Sequence, residues 1–324
     1  NDIIIAKDGS KTIVESIHPQ GQKKVYAIKF KDGRVVRATG DHLWKTYCAK
    51  KYPIQPEVVT TETILRRLNS NRKMETLQWI DLIDPEATNA KDLVVDPYVL
   101  GVILGDGCIT DGSIVITKPD LEMMNSVSER LADECIISVR NTVVKCLTYS
   151  IKGTQGNNNY ISKYLKKVGL MGRKSNEKFI PEEYMNGSLE QKMDLIRGLM
   201  DTDGYVGRGS SLSFCSTSER LAKQFQELIW SIGGIAMLTS KDTYYTSNGI
   251  RKKGLKAYNV YLRVKKPSVF FTLNRKKERT NDNNQYSKNL KLRIVEVKEI
   301  GYEECQCITI AHPDKLYVTD NYVA

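Results

Sequence analysis

Two apolar segments of this chain end in the same way: Leu100-Gly101-Val102-Ile103-Leu104-Gly105-Asp106-Gly107 and Ile196-Arg197-Gly198-Leu199-Met200-Asp201-Thr202-Asp203-Gly204. Each segment reads as an apolar helix that ends in a carboxylate followed by a glycine, a residue that stops helices. The terminal aspartates, Asp106 and Asp203, are 97 residues apart, and each motif is followed by a short strand and by the word Ser-Glu-Arg-Leu. This repeat predicts two pseudo-symmetric half-domains.

Small residues recur four positions apart in both predicted helices. Gly101 and Gly105 share one face of the first helix, and Gly198 and Thr202 share one face of the second. Such faces allow two helices to approach closely. We therefore expect the two helices to pack together and to bring the two aspartates to the same end of the pair.

Two carboxylates at adjacent helix C-termini form an unstable arrangement on their own. They repel each other, and each also faces the negative end of a helix dipole, so a cation between them is required. Hard oxygen ligands favour Mg²⁺, and Mn²⁺ is the closest alternative. The sequence therefore predicts a divalent metal site at Asp106 and Asp203.

These motifs resemble those of the LAGLIDADG homing endonucleases over residues 96–286, a range that includes Lys178-Phe179-Ile180-Pro181. The resemblance implies that the two helices form a central interface and that flanking β-sheets lie in the major groove of duplex DNA. It also implies a site-specific double-strand break in that DNA by metal-dependent phosphodiester hydrolysis. The first motif departs from the family pattern, because Leu104 and Gly105 replace the first Asp and the Ala of the family word.

The same resemblance implies specific roles for residues near the metal. The carbonyl groups of Gly105 and Thr202 are expected to contribute to metal binding beside the two aspartates. Family members also use a basic residue to order the attacking water, and Lys118 and Lys241 are the candidates here.

Positive charge is concentrated in one sixth of the chain. The chain has 49 basic and 38 acidic residues, a net charge of +11, and the segment 241–293 alone has 15 basic and 3 acidic residues. Its basic side chains are interleaved with aromatic residues, which suits the phosphate backbone of DNA, although a solvated lysine-rich surface is the alternative. The candidate DNA-binding residues are Lys241, Arg251, Lys252, Lys253, Lys256, Arg263 and Lys265.

The two ends of the chain differ in pattern from its middle. Alternating residues broken by Asp-Gly turns predict short antiparallel strands before residue 52, and strands return after residue 290. Helical spacing predicts a helix over 60–81. We therefore predict a multidomain α+β chain in which an α/β domain is inserted into an all-β domain. The predicted bounds are 1–92 and 288–324 for the all-β domain, 93–287 for the inserted domain, and 96–188 and 189–287 for its halves.

The outer segments carry a second resemblance. Thr39 and His42, three residues apart, resemble a motif of the Hint fold of inteins, and so do the segments 305–310 and 316–324. This resemblance implies a horseshoe-shaped Hint domain in which His42 acts on an upstream scissile peptide and Thr39 helps to orient it. An imidazole suits this role because it can donate a proton near neutral pH.

Cys307 together with Trp44 is similar to class 3 inteins, in which an internal cysteine makes the first acyl transfer. The resemblance implies that Cys307 is this nucleophile and that the partner is a host protein, whose flanking exteins are joined in cis. The given chain lacks the closing His-Asn pair of that family, so we expect it not to splice by itself.

The rest of the composition indicates the cellular environment of the protein and leaves two alternative functions. Seven cysteines form no CxxC pair, which favours a reducing, intracellular environment, and no apolar run approaches the length of about 20 residues that spans a bilayer. We expect no membrane partner and a monomer. The alternative functions are a non-cleaving DNA- or RNA-binding module, such as a decayed endonuclease or a maturase, and a Hint-type autoprocessing domain of the hedgehog kind.

Overall fold

A computed structural model of the protein describes residues 2–49, 54–117, 120–140, 147–155, 159–283 and 290–324. The chain divides into two compact units. Unit 1 contains Asn1–Ala87, Ile229–Met237 and Lys288–Ala324, and unit 2 contains Thr88–Leu228 and Leu238–Ser287. Within the described ranges, no helix is long and apolar enough to cross a membrane.

The elements alternate between strands and helices in the middle of the chain. The strands are β1 (Ile3–Ile5), β2 (Lys11–Phe30), β3 (Val35–Thr39), β4 (Leu43–Cys48), β5 (Pro56–Thr60), β6 (Gln78–Asp81), β7 (Gly107–Cys108), β8 (Ile114–Thr117), β9 (Cys135–Arg140), β10 (Thr148–Gly153), β11 (Gly204–Val206), β12 (Leu212–Ser216), β13 (Ile235–Lys241), β14 (Tyr244–Ser247), β15 (Ile250–Lys253), β16 (Ala257–Arg263) and β17 (Lys291–Ile310). The α-helices are α1 (Thr61–Leu68), α2 (Pro97–Asp106), α3 (Leu121–Ser128), α4 (Tyr160–Lys167), α5 (Glu182–Met185), α6 (Leu189–Asp203), α7 (Glu219–Ser231) and α8 (Asn274–Lys277).

Unit 1 is built on a seven-stranded sheet with the order β1-β2-β17-β6-β4-β5, and β3 also pairs with β2. The expectation of short strands here was wrong, because β2 and β17 are each 20 residues long and pair antiparallel over most of their length. β2 contains Pro19, which cannot donate to the sheet, but the pairing shifts register beside it and Gly21 takes a positive φ of 64°. This bulge lets one strand continue past the proline and the glycine.

The predicted helix over 60–81 was correct only in its first part. Thr60 caps α1 by accepting a hydrogen bond from the Thr63 N–H, and the helix ends at Leu68. Residues 78–81 form β6, in which the side chains of Gln78 and Ile80 are buried and their neighbours less so. This period of two belongs to a strand, and β6 pairs with β17 and β4.

Unit 1 also holds a segment from the middle of the chain, Ile229–Met237, which the sequence analysis placed in the inserted domain. The buried Arg34 guanidinium explains this position. It stacks on the Trp230 ring with 5.1 Å between the guanidinium carbon and the ring centroid, and it donates a hydrogen bond of 2.5 Å to the Gly234 carbonyl.

Unit 2 repeats one topology, as the sequence repeat predicts. Each half begins with a long apolar helix, α2 or α6, that leads into a four-stranded sheet. The two sheets have the orders β7-β8-β10-β9 and β11-β12-β16-β13. Once the hairpin β14–β15 is set aside, both place their strands in the order first, second, fourth, third.

The helices α2 and α6 pack against each other through their small residues. A Cβ atom added to Gly101 would lie 2.5 Å from the Leu195 carbonyl oxygen and 2.9 Å from the Gly198 Cα. A Cβ atom on Gly105 would collide with the Thr202 side chain. The predicted close approach of the two helices is therefore confirmed.

Gly107 and Gly204 follow the two helices but do not act as expected. The sequence indicates left-handed C-cap glycines, whereas both residues are extended, with φ of −70° and −82°. Steric hindrance explains why both positions are glycine, because a larger residue would collide with the preceding turn of its helix. A Cβ on Gly107 would lie 2.5 Å from the Ile103 carbonyl oxygen, and one on Gly204 would lie 2.7 Å from the Met200 Cα.

We predict that Gly101→Ala destabilises the helix pair of unit 2. The new methyl group meets main-chain atoms, which cannot rotate away, so overpacking is expected to cost about 1 to 3 kcal/mol. Hydrogen–deuterium exchange of the α2 and α6 amides measures this loss directly. In the control Gly187→Ala, the methyl group meets only the flexible Gln191 side chain, and equal protection in the two variants would contradict the prediction.

Candidate active site

Asp106 and Asp203 are the last residues of α2 and α6, and both are partly exposed. The buried side chain of Lys178 interacts electrostatically with both of them. Burial lowers the pKa of Lys178 to about 8, and the negative charges of Asp203 and Asp106 oppose this shift. One ammonium group therefore lies within electrostatic reach of both carboxylates, and Gly105 and Thr202, the residues just before them, lie against each other.

Lys178 closes the C-terminal end of α2. Its Nζ donates hydrogen bonds to the carbonyl oxygens of Ile103 and Leu104, both at 3.0 Å, of Gly105 at 3.4 Å and of Gly107 at 2.6 Å. The last carbonyls of a helix lack partners within the helix and attract cations. The side chain is only 4% exposed, so these bonds replace the water that its charge would otherwise require.

Lys276 closes the end of α6 in the same way. Its Nζ donates to the carbonyl oxygens of Met200 at 2.6 Å, Asp201 at 2.9 Å and Gly204 at 2.7 Å. Lys276 lies 98 residues after Lys178, close to the spacing of 97 between the two aspartates. Each half of unit 2 therefore contributes one carboxylate and one buried lysine.

The sequence analysis missed both lysines. Lys178 lies in the quoted word Lys-Phe-Ile-Pro, and Lys276 lies in a basic run that suggests a solvated surface. Their common spacing with the aspartate repeat is the signal that could have found them. Of the two lysines predicted instead, Lys118 lies outside the described residues.

Lys241, the second predicted lysine, is exposed at the end of β13. Burial and the Asp203 carboxylate raise the pKa of the Cys215 thiol, and the Lys241 ammonium opposes them. Lys241 and Asp203 thus both act electrostatically on one thiol.

Asp201 occupies the family position that Leu104 fills in the first half, and the structure shows that it is a buried packing residue. It accepts a hydrogen bond of 3.0 Å from the Tyr98 hydroxyl and others from the Thr272 and Leu273 N–H groups. Burial raises its pKa. Leu104 is equally buried, so the departure of the first motif changes a packing position and leaves Asp106 in place.

The donor set fits a magnesium ion that keeps much of its water. Within the described ranges, no three His, Cys, Asp or Glu side chains form a metal cluster. Mg²⁺ commonly takes one or two carboxylates and completes its shell with water and substrate phosphates. Asp106 and Asp203 supply such carboxylates. The predicted Gly105 carbonyl also accepts the long bond from Lys178, so that ammonium competes with a metal for it.

The predicted DNA-binding residues lie on strands and turns of the second half-domain, and all are exposed. Arg251 in the β14–β15 hairpin covers the Tyr244 ring, with 4.2 Å between the guanidinium carbon and the ring centroid. Some basic side chains of the segment 241–293 are not available to bind DNA. Lys276 is buried at the end of α6, and Arg275 pairs with Asp120 at 2.8 Å.

Three of the four predicted splicing residues lie close together in unit 1. The Thr39 hydroxyl donates to Asp41 at 2.5 Å, and the His42 ring meets the Trp44 ring edge-on with 4.9 Å between centroids. Trp44 is a core residue whose Nε1 donates to the Thr61 hydroxyl at 2.9 Å. Desolvation lowers the pKa of His42.

Cys307, the fourth, lies on β17 as an exposed free thiol. Its cross-strand partner on β2 is His18. Among the hydrogen bonds of the described residues, none joins Cys307 to His42. The structure therefore groups Cys307 with a histidine that the sequence analysis did not select.

We predict that Lys276→Met destabilises the end of α6 by about 2 to 4 kcal/mol, because three carbonyl groups lose a charged donor while the apolar volume is kept. The measurement is urea denaturation followed by circular dichroism, with hydrogen exchange at residues 200–204. The neighbouring variant Lys277→Met is the control. An equal, small effect of both variants would show that the three bonds contribute little.

Comparison with known families identifies one part of unit 2. Residues 190–263 match the family described as LAGLIDADG-like domain. This range runs from α6 to β16. The second half of unit 2 is therefore similar to a LAGLIDADG-like domain over most of its length.

Longer relatives align with most of the chain. The replicative DNA helicase DnaB of Mycobacterium intracellulare is 27% identical over 352 residues, which cover 98% of this chain and 52% of that protein. The corresponding protein of Synechocystis sp. is 25% identical over 240 residues, 70% of this chain and 26% of the relative. The chain thus spans about half of the first relative and about a quarter of the second.

Solved structures also resemble the chain. A variant of the homing endonuclease I-DmoI, in complex with its target DNA in the presence of Mg, has a TM-score of 0.31 and 13% sequence identity. The similarity covers 52% of this chain and 87% of that one.

Proposed function

We propose that unit 2 is a homing endonuclease that cuts both strands of a specific DNA site, and that unit 1 is a protein-splicing Hint domain. The chain would then be an intein within a replicative DNA helicase. This host is suggested because nearly all of the chain aligns with one such helicase while covering only about half of it. We further propose that it acts as a monomer inside the cell, since one chain carries both half-domains.

The observation that supports cleavage is the close packing of the last turns of α2 and α6, where Gly105 lies against Thr202 and is followed by Asp106, as Thr202 is by Asp203. Each carboxylate lies at the end of a helix, and a buried lysine donates hydrogen bonds to the last carbonyl groups of that helix. These bonds fix the main chain from which each carboxylate projects. Duplex DNA presents its two strands with two-fold symmetry. A repeated unit with one carboxylate and one lysine per half can therefore serve one scissile phosphate on each strand.

In this proposal, one group of residues binds the metal and another group binds the DNA. Bound Mg²⁺ would polarise the scissile phosphate and lower the pKa of the attacking water. Asp106 and Asp203 hold the cation, and Lys178 and Lys276 keep the carboxylates in position. The exposed cations of the second sheet and of its β14–β15 hairpin bind the phosphate backbone, which provides most of the salt-dependent affinity.

We predict that Asp106→Asn abolishes cleavage and changes DNA affinity by less than about tenfold, since affinity comes mainly from phosphate contacts. The substrate is a duplex in which the coding sequences on either side of the insertion are joined. Cleavage is measured with Mg²⁺ and with EDTA, and binding by fluorescence anisotropy at several salt concentrations. Asp203→Asn is expected to behave in the same way.

The matched control is Asp111→Asn, which changes an exposed turn aspartate of the same half-domain. It should cut like the unaltered protein. Tight, salt-sensitive binding without any cleavage by the unaltered protein would instead indicate a decayed endonuclease or a maturase-like module. A folded Asp106→Asn variant that still cuts would exclude the proposed metal site.

For unit 1 we propose autocatalytic acyl transfer. Cys307 attacks an upstream peptide carbonyl, and His42 donates a proton to the departing amine. The hydrogen bond from Thr39 to Asp41 and the contact of Trp44 with the His42 ring support the loop that carries this histidine. The partner is the host polypeptide itself, whose flanking segments are the exteins.

We predict that the chain, placed between flanking helicase segments that include the closing His-Asn pair, splices and that Cys307→Ala stops it. Splicing is followed by gel electrophoresis and mass spectrometry of the joined flanks. The control is Cys305→Ala, two residues away on β17. If Cys307→Ala still splices normally, an internal cysteine nucleophile is excluded.

A further inference from the structure

We propose that His18 positions the Cys307 thiol and exchanges its proton during acyl transfer to this thiol from an extended peptide lying along β2. This inference rests on the splicing function proposed for unit 1 and adds a residue and a substrate geometry to it. Three features of unit 1 support it: a cross-strand pair, a hydroxyl clamp on the histidine ring, and an open strand edge.

The cross-strand pair places the two side chains on one face of the sheet. Cys307 is paired with His18, and Thr309 is paired with Ser16. Directly paired residues on antiparallel strands have Cα atoms about 4.5 to 5.5 Å apart, and their side chains project from the same face. The thiol therefore has an imidazole as its immediate neighbour on the next strand.

Two hydroxyl groups clamp the His18 ring. Its Nε2 lies 2.9 Å from the Ser16 hydroxyl oxygen and 3.0 Å from the Thr309 hydroxyl oxygen. A hydroxyl group can donate or accept, so this clamp suits the ring both before and after it gains a proton. The ring is thus held beside Cys307 in an orientation that does not depend on its charge.

A phenol faces the same thiol from another segment. Burial raises the pKa of Tyr317, and the nearby Cys307 raises it further. The main chain of Tyr317 forms an isolated β-bridge with Ala6.

The edge of β2 beside His18 is available for a substrate. In the described sheet, β1 pairs with Lys11–Ile13 and β3 pairs with Val25–Lys29, so between these points β2 has only β17 as a neighbouring strand. The Val14 N–H still bonds to the Asp2 carbonyl oxygen at 2.9 Å. A peptide that continued β1 in this direction would pass His18, and an open edge binds an extended peptide through main-chain hydrogen bonds.

The proposed step is balanced within these groups. The Cys307 S–H proton passes to the His18 imidazole as the sulfur forms a bond to the peptide carbonyl carbon. The peptide C–N bond then breaks, and the departing amine takes up the proton that His42 donates, so the products are a thioester and a free amine. The proton gained by His18 passes to water, and His42 regains one from water. No oxidant or further reactant is needed, and the imidazole is restored when its proton is passed on.

The test measures the reactivity of each thiol in the full chain. The protein is treated briefly with iodoacetamide at pH 7, and the alkylation of each cysteine is quantified by peptide mass spectrometry. We expect His18→Ala to slow the alkylation of Cys307 by about tenfold, the scale of a weak general-base contribution, and to leave Cys305 unchanged. Added imidazole is expected to restore the rate at Cys307 in this variant.

Two controls separate this role from a structural one. His312→Ala removes another histidine of unit 1, which is bonded to Asp8, and should leave Cys307 reactivity unchanged. Circular dichroism checks that each variant is folded, and His18→Gln, which keeps polar bonding to the hydroxyls, should remain slow without added imidazole.

An unchanged Cys307 rate in folded His18→Ala would overturn the proposal, and so would a loss that imidazole does not restore. The assay does not require splicing. Normal thiol activation in a chain that fails to splice would therefore refute the splicing function alone, whereas splicing without His18 dependence would refute only this inference.

Discussion

The close contact between α2 and α6 is the constraint on which the proposed active site depends. Gly101 and Gly198 let the two main chains approach until a single methyl group would collide with a carbonyl oxygen or a Cα atom. Because each helix ends in its aspartate, this contact also sets the distance between the two half-sites. Packing and chemistry are thus controlled by the same few small residues.

Two buried lysines stabilise the adjacent C-terminal ends of α2 and α6. Two helix ends that meet bring together unpaired carbonyls and carboxylates, all of negative potential. Lys178 and Lys276 place a positive charge under each end and donate hydrogen bonds to its carbonyl groups, which replace the lost water. Burial still lowers the pKa of Lys178, so its charge is costly and depends on both carboxylates. The stability of the helix ends and the proposed metal binding therefore depend on the same charges.

Unit 1 combines a pair of long strands with a buried ion pair in the turn that follows β2. Asp32 and Arg34 bond to each other at 3.0 Å in the core, and Arg34 also donates to the Tyr322 carbonyl oxygen at 2.9 Å. This holds the C-terminal segment against the first strands. The pairing of β2 with β17 then brings Cys307 and His18 together across almost the whole length of the sequence.

Features that depend on local order could be predicted from the sequence: the apolar helices, the repeat, and Asp106 and Asp203 at the helix ends. Hydrophobic periodicity and spacing are enough for these, because neighbouring residues determine them. The spacing of Lys178 and Lys276 repeats that of the aspartates, but the groups to which these lysines and His18 bond are decided by tertiary structure. Each acts on groups more than 70 residues away, and a basic or polar side chain looks the same in sequence whether it faces water or closes a buried helix end.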